Sequence, residues 1–200
     1  MKKGFTLAEI LVVLAVLSLI GVLVVTIFTR SLRGANKSQI LSSIKQNGQV
    51  VLENIDKTVR SSDNVVCSED TLVVVQNGIY TRYGFIPPLN ANGFIQQDNP
   101  VKENVEGSIP LREETDPEFV NRVCLSTDPM LEPVILTDRN PQTGVSVEVR
   151  EGKKLFTRNR SAGFRDQITI NFDLKPGVEA PQVIVGQIDP VVFQTTIQLR

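Results

Sequence analysis

Histidine is absent from the 200 residues of this chain, and that absence closes whole branches of chemistry. Ser-His-Asp hydrolysis, Cys-His proteolysis and histidine-ligated metal sites each need an imidazole. Cysteine is nearly absent too: Cys67 and Cys124 stand 57 positions apart, with no C-x-x-C spacing to suggest a thiol catalyst. There is no glycine loop of the phosphate-cradling kind, no internal repeat and no low-complexity tract. Adjacent carboxylates such as Glu113 and Glu114 fall in a polar, acidic stretch and read as solvated surface. The composition thus spells out no catalytic residues, no metal ligands and no cofactor site. Two further gaps are positional. All 11 prolines lie at or beyond Pro87, so the first 86 residues lack the strongest helix breaker. Between Phe5 and Phe28 there is a single charge, Glu9.

That stretch, FTLAEILVVLAVLSLIGVLVVTIF, has 24 residues. A bilayer core needs about 20 apolar residues in a helix, so the run is long enough to cross one. A carboxylate inside such a segment costs roughly 2.5–3.5 kcal/mol on insertion scales, which marks it as functional by default. A secretory signal peptide has a shorter apolar core and a small-residue cleavage site; no A-x-A pattern follows here. Basic residues flank both ends, Lys2 and Lys3 before, Arg30, Arg33 and Lys37 after, so charge counting alone does not orient the segment.

The short basic leader followed by Gly4-Phe5-Thr6-Leu7-x-Glu9 and an apolar run resembles the processing signal of type IV pilins and of the pseudopilins of type II secretion. The resemblance implies cleavage after Gly4 by an inner-membrane prepilin peptidase, which then N-methylates the new terminal residue, Phe5. It implies that Glu9 pairs with the amino terminus of a neighbouring subunit during filament assembly. It also implies a helix-plus-antiparallel-sheet fold, residues 1–4 in the cytoplasm and an extracytoplasmic head. The protein would be a single-pass inner-membrane protein that enters a pilus or periplasmic pseudopilus. The implied partners are other pilin or pseudopilin subunits, the peptidase/methyltransferase, the inner-membrane assembly platform and membrane lipid. The larger minor pilins or minor pseudopilins are the nearest subtype. A plain single-pass anchor carrying an extracytoplasmic binding domain that never polymerises is the competing reading.

Helical periodicity continues past the apolar run. Ile40, Leu41, Ile44, Gly48, Val51, Leu52, Ile55 and Val59 recur at spacings of three and four, the mark of one apolar stripe. Gly21 and Gly34 are weak points within this helix. Beyond it the pattern becomes strand-like. Thr71–Val75 and Ile79–Phe85 flank Gln76-Asn77-Gly78, and Asn-Gly favours a type I′ hairpin turn. Further strands are expected at Gly93–Gln96, Val134–Thr137, Val145–Arg150, Gln167–Leu174 and Val191–Leu199, with residues 99–133 mostly loop. The expected fold is α+β. Residues 1–4 form a leader and 5–60 a helix (5–28 spanning the membrane or filament core, 29–60 amphipathic), which packs on a β-rich head of residues 61–200.

Charge divides unevenly. Residues 1–60 carry eight Lys/Arg against three Asp/Glu, whereas residues 61–200 carry 13 against 19. A basic stem suits anionic headgroups, and an acidic head argues against nucleic-acid binding. One local exception is Arg150, Lys153, Lys154, Arg158, Arg160 and Arg165, interleaved with Phe156 and Phe164. It reads as a charged loop or strand edge, an acidic-neighbour contact, or more remotely a nucleic-acid patch. Asp138–Gly144 offers oxygen ligands but lacks the dense acids of a calcium loop and reads as a turn. In an oxidising compartment Cys67 and Cys124 are expected to form a disulfide, the alternative being two buried thiols.

Overall fold

A computed structural model of the chain describes residues 6–77, 79–99, 124, 132–181, 186 and 188–199, the side chains of Cys67 and Ser68 excepted. The expected loop at 99–133 falls almost wholly outside these residues. The chain divides into two compact units, Met1–Ile40 and Leu41–Arg200.

Helix α1 (Leu7–Ser61) begins in the first unit and ends in the second, running unbroken through Gly21 and Gly34. Its N-cap is Thr6. The first unit contains no other described element, and its apolar side chains are exposed all round: Leu7, Leu11, Leu17, Leu19, Val22, Val25 and Phe28 stand 58–80% exposed. The second unit starts on the amphipathic half of α1. Its buried face is Ile44, Gly48, Val51, Ile55 and Val59, the core of the expected stripe.

Among the described residues nine strands follow, and they form two sheets where a single one was expected. The first contains β1 (Asn64–Ser68), β2 (Thr71–Gln76), β3 (Ile79–Ile86), β4 (Phe94–Asp98) and β5 (Val134–Ile135), antiparallel and in chain order. The β2–β3 hairpin closes with Gln76 opposite Ile79, leaving a two-residue turn in which Asn77 takes φ 50°. That left-handed φ is what a type I′ turn requires. The second sheet is built on the long strand β8 (Gln167–Pro176). β6 (Val145–Glu148) and β7 (Phe156–Asn159) share one edge of β8, and β9 (Val191–Gln198) runs along the other. The sheets are joined by backbone hydrogen bonds, Val147 N–H to Gly93 O and Phe156 N–H to Glu69 O, both 2.8 Å.

Two strands, β1 and β7, carry no clear sequence signal. β7 reads Phe-Thr-Arg-Asn inside the basic stretch, which the sequence leaves open between a charged loop and a strand edge. It becomes a strand because Arg158 turns inward: its guanidinium donates to Asp166 and to the carbonyl of Val65 on β1. The core draws on α1 and both sheets, with Ile55, Leu72, Tyr83, Ile95, Phe156, Ile168, Ile170 and Phe172 all buried. Tyr83 reaches α1, its hydroxyl hydrogen-bonding Asn54 Oδ1 (2.9 Å) and Thr58 Oγ1 (2.7 Å). Phe193 stacks on its cross-strand partner Phe172, centroids 5.3 Å apart, and covers Gly48. On β3 and β4, Arg82 and Asp98 form a bidentate pair in the buried interior, with Nε donating to Oδ1 at 2.8 Å.

Candidate functional site: an exposed apolar helix with one carboxylate

The first turn of α1 is organised by two residues. The backbone N–H of Thr6 donates to Glu9 Oε2 at 2.8 Å, and the Thr6 hydroxyl donates to the same oxygen at 2.9 Å. The Glu9 N–H lies 3.3 Å from Thr6 Oγ1, to which it donates. This is a capping box, in which Thr at the N-cap and Glu three residues on satisfy each other's backbone donors. Helix starts leave such donors without intrahelical partners, and in an apolar medium each would be costly. Glu9 therefore does local work as well as carrying charge. The Thr-x-x-Glu spacing before an apolar run was readable in the sequence, yet attention to the charge alone overlooks Thr6.

The remaining polar groups of the run are consumed within the helix. Ser18 Oγ donates to Leu14 O (2.7 Å), Thr26 Oγ1 to Val22 O and Thr29 Oγ1 to Val25 O (both 2.8 Å). Back-bonding to the i−4 carbonyl leaves those hydroxyls with no unmet proton. What α1 presents from Leu7 to Phe28 is a hydrocarbon surface with one carboxylate near its start. The helix is long and apolar enough to cross a membrane. A helix apolar on every face is not stable against water, so lipid or other protein must cover it. Gly4 and Phe5, the expected cleavage and methylation residues, lie outside the described residues.

Among its described residues the head offers no comparable concentration of chemistry. Four of the six cations in the basic stretch are ion-paired: Arg150 with Asp173 (2.8 Å), Lys154 with Glu69, and Arg158 and Arg160 both with Asp166. Partial burial pushes the Asp166 carboxyl up, but Arg158 and then Arg160 outweigh it and hold it below the ordinary carboxylate range. Phe156 is buried, so of the two interleaved aromatics only Phe164 faces solvent. The stretch thus lacks the row of exposed stacking rings that single strands need.

The loop Asp138–Gly144 is a turn that uses its own oxygens. Asp138 Oδ1 accepts the Asn140 N–H, and Asn140 Oδ1 accepts those of Gln142 and Thr143. Among the described residues no group of three or more His, Cys, Asp or Glu is placed to hold a metal. A surface depression lined by Arg60, Arg165, Gln198 and Leu199 contains neither a nucleophile nor a general base. Cys124 is disulfide-bonded. Compared with models of protein families, with characterised proteins and with solved structures, the chain matches none.

Proposed function

We propose that this chain is a filament subunit of the type IV pilin or type II pseudopilin kind, held in the inner membrane by α1 and assembled through it. The observation that carries the reading is the surface of α1 from Leu7 to Phe28: apolar on every side, exposed, and charged only at Glu9 in its first turn. A plain anchor could use that carboxylate only to cap its first turn, whereas a docking helix also uses its charge. In this reading a prepilin peptidase cuts after Gly4 and methylates Phe5. The Phe5 amine of one subunit then meets Glu9 of its neighbour.

The geometry at Glu9 fits such a step. Oε2 takes both Thr6 donors, and no described residue donates to Oε1. Thr6 thus holds the carboxylate through Oε2, and in this reading Oε1 is left to accept an incoming ammonium. Pairing two opposite charges in an apolar medium offsets the several kcal/mol that each costs alone. The two-sheet head, extracytoplasmic in this reading, would prime, cap or decorate the filament. Cys67 is the partner we assign to Cys124, because the chain has no third cysteine and the proposed compartment is oxidising. Such a bond encloses a long loop, worth about 4 kcal/mol in the chain-entropy model.

Intact-mass measurement on the protein from its native host tests the reading. Loss of residues 1–4 together with gain of one methyl group is expected. An intact Met1 would refute processing and leave the non-polymerising anchor.

A further inference from the structure

The structure redistributes the positive charge that is free to meet a partner. In the head, Arg150, Lys154, Arg158 and Arg160 are spent on carboxylates of the same chain. Just beyond the apolar run of α1 the situation is opposite. Arg30, Arg33 and Lys37 are exposed, and no described residue forms an ion pair with any of them. No Asp or Glu occurs between Glu9 and Glu53, so these cations have no acidic partner one turn away on the helix.

Their placement is specific. At 100° per residue Arg33 and Lys37 fall within about 60° of Arg30, so the three share one helix face. They begin two residues after Phe28, where the apolar run ends. At 1.5 Å per residue they stand roughly 3, 8 and 14 Å beyond that end. A headgroup layer is about 5–8 Å thick on each side of the hydrocarbon, so Arg30 and Arg33 fall inside it and Lys37 just outside. Helical side chains lean toward the N-terminus, which here is toward the apolar run, and long cationic ones snorkel into the interface. Lys37 can therefore also reach the phosphate layer.

We propose that Arg30, Arg33 and Lys37 form a collar that binds the phosphates of anionic lipid headgroups at the end of the spanning segment. This rests on the membrane-inserted reading of α1. Arginine suits the role because its planar fork matches two phosphate oxygens, whereas Lys37 acts as a point charge. Through the collar, lipid composition would set how firmly the helix is held at its depth before assembly.

The test uses the full chain reconstituted into phosphatidylcholine vesicles carrying spin-labelled phosphatidylglycerol or spin-labelled phosphatidylcholine. Electron spin resonance then gives the relative association of each lipid with the protein. The expected result is a preference for phosphatidylglycerol of about fivefold at each collar residue, falling toward unity above 0.5 M salt, on the order of one Debye length of 3–4 Å. Substituting Arg30→Gln, Arg33→Gln and Lys37→Gln together should abolish the preference, and Lys57→Gln, outside the collar, should preserve it. An equal preference in wild type and the triple variant would overturn the proposal. So would a triple variant that keeps the lipid preference but loses self-association, since the collar would then face a neighbouring chain. A chain that does not float with the vesicles overturns the membrane reading itself, a result distinct from loss of selectivity.

Discussion

Replacing Gly48 by alanine should destabilise the head, and should do the reverse once Phe193 is gone. Gly48 lies in the buried stripe of α1, where glycine costs about 1 kcal/mol relative to alanine. Taken alone, Gly48→Ala would therefore stabilise the helix. A Cβ at that position, however, stands within 2.6 Å of three carbons of the Phe193 ring. Ordinary carbon contacts are about 3.5–4.0 Å, so the ring must retreat by roughly 1 Å or more. Its position is also fixed by its stack on Phe172, 5.3 Å between centroids and 13° between planes.

Overpacking of this kind costs about 1–3 kcal/mol. Set against the propensity gain of about 1 kcal/mol, the net loss is up to about 2 kcal/mol. In a head of this size that is a fall in Tm of about 2–4 °C per kcal/mol. In a Phe193→Ala background the clash is absent, and Gly48→Ala should stabilise by up to about 1 kcal/mol. Urea and thermal unfolding of the full chain in detergent, followed by circular dichroism, measure all four corners of this cycle. A Gly48→Ala effect of the same sign in both backgrounds would show that β9 does not press on the helix as described.

Other outcomes follow from single residues. Glu9→Gln keeps the capping-box acceptor but removes the charge, so it should preserve helix content and membrane insertion while abolishing incorporation into filaments. Glu9→Val should additionally cost about 1 kcal/mol in the cap; normal incorporation of either variant, scored in sheared filaments, would remove Glu9 from the docking step. Burial pushes the Tyr83 phenol up to about 12, with the Thr58 hydrogen bond offsetting only part of that rise. Between pH 10 and 12 the unfolded chain loses this proton while the folded chain keeps it, so stability falls as pH rises through that window. The loss is on the order of 2 kcal/mol, and unfolding titrations of Tyr83→Phe should lack that component.

The parts of the molecule written in short-range patterns were legible from the residues. The apolar run, the stripe from Ile44 to Val59, and the hairpin around Asn77 each depend on neighbours no more than a few positions apart. Such neighbours meet as soon as the local backbone conformation is chosen. Five further strands were placed to within a few residues. The second sheet was not legible, because it depends on β8 being shared by β6, β7 and β9, a choice made among distant segments. Arg158 misled for the same reason: its charge reads as surface until Asp166 and the Val65 carbonyl are brought beside it.

Sequence alone determined that one end of this protein is a hydrocarbon helix with a single acid. Hydropathy and helical period are properties of consecutive residues and need no partner to be expressed. Only the tertiary structure decided that four cations of the head's basic stretch are ion-paired within the chain and that Phe193 closes over Gly48 from 145 positions away. Those outcomes belong to pairings between remote segments, which a linear pattern does not encode one residue at a time.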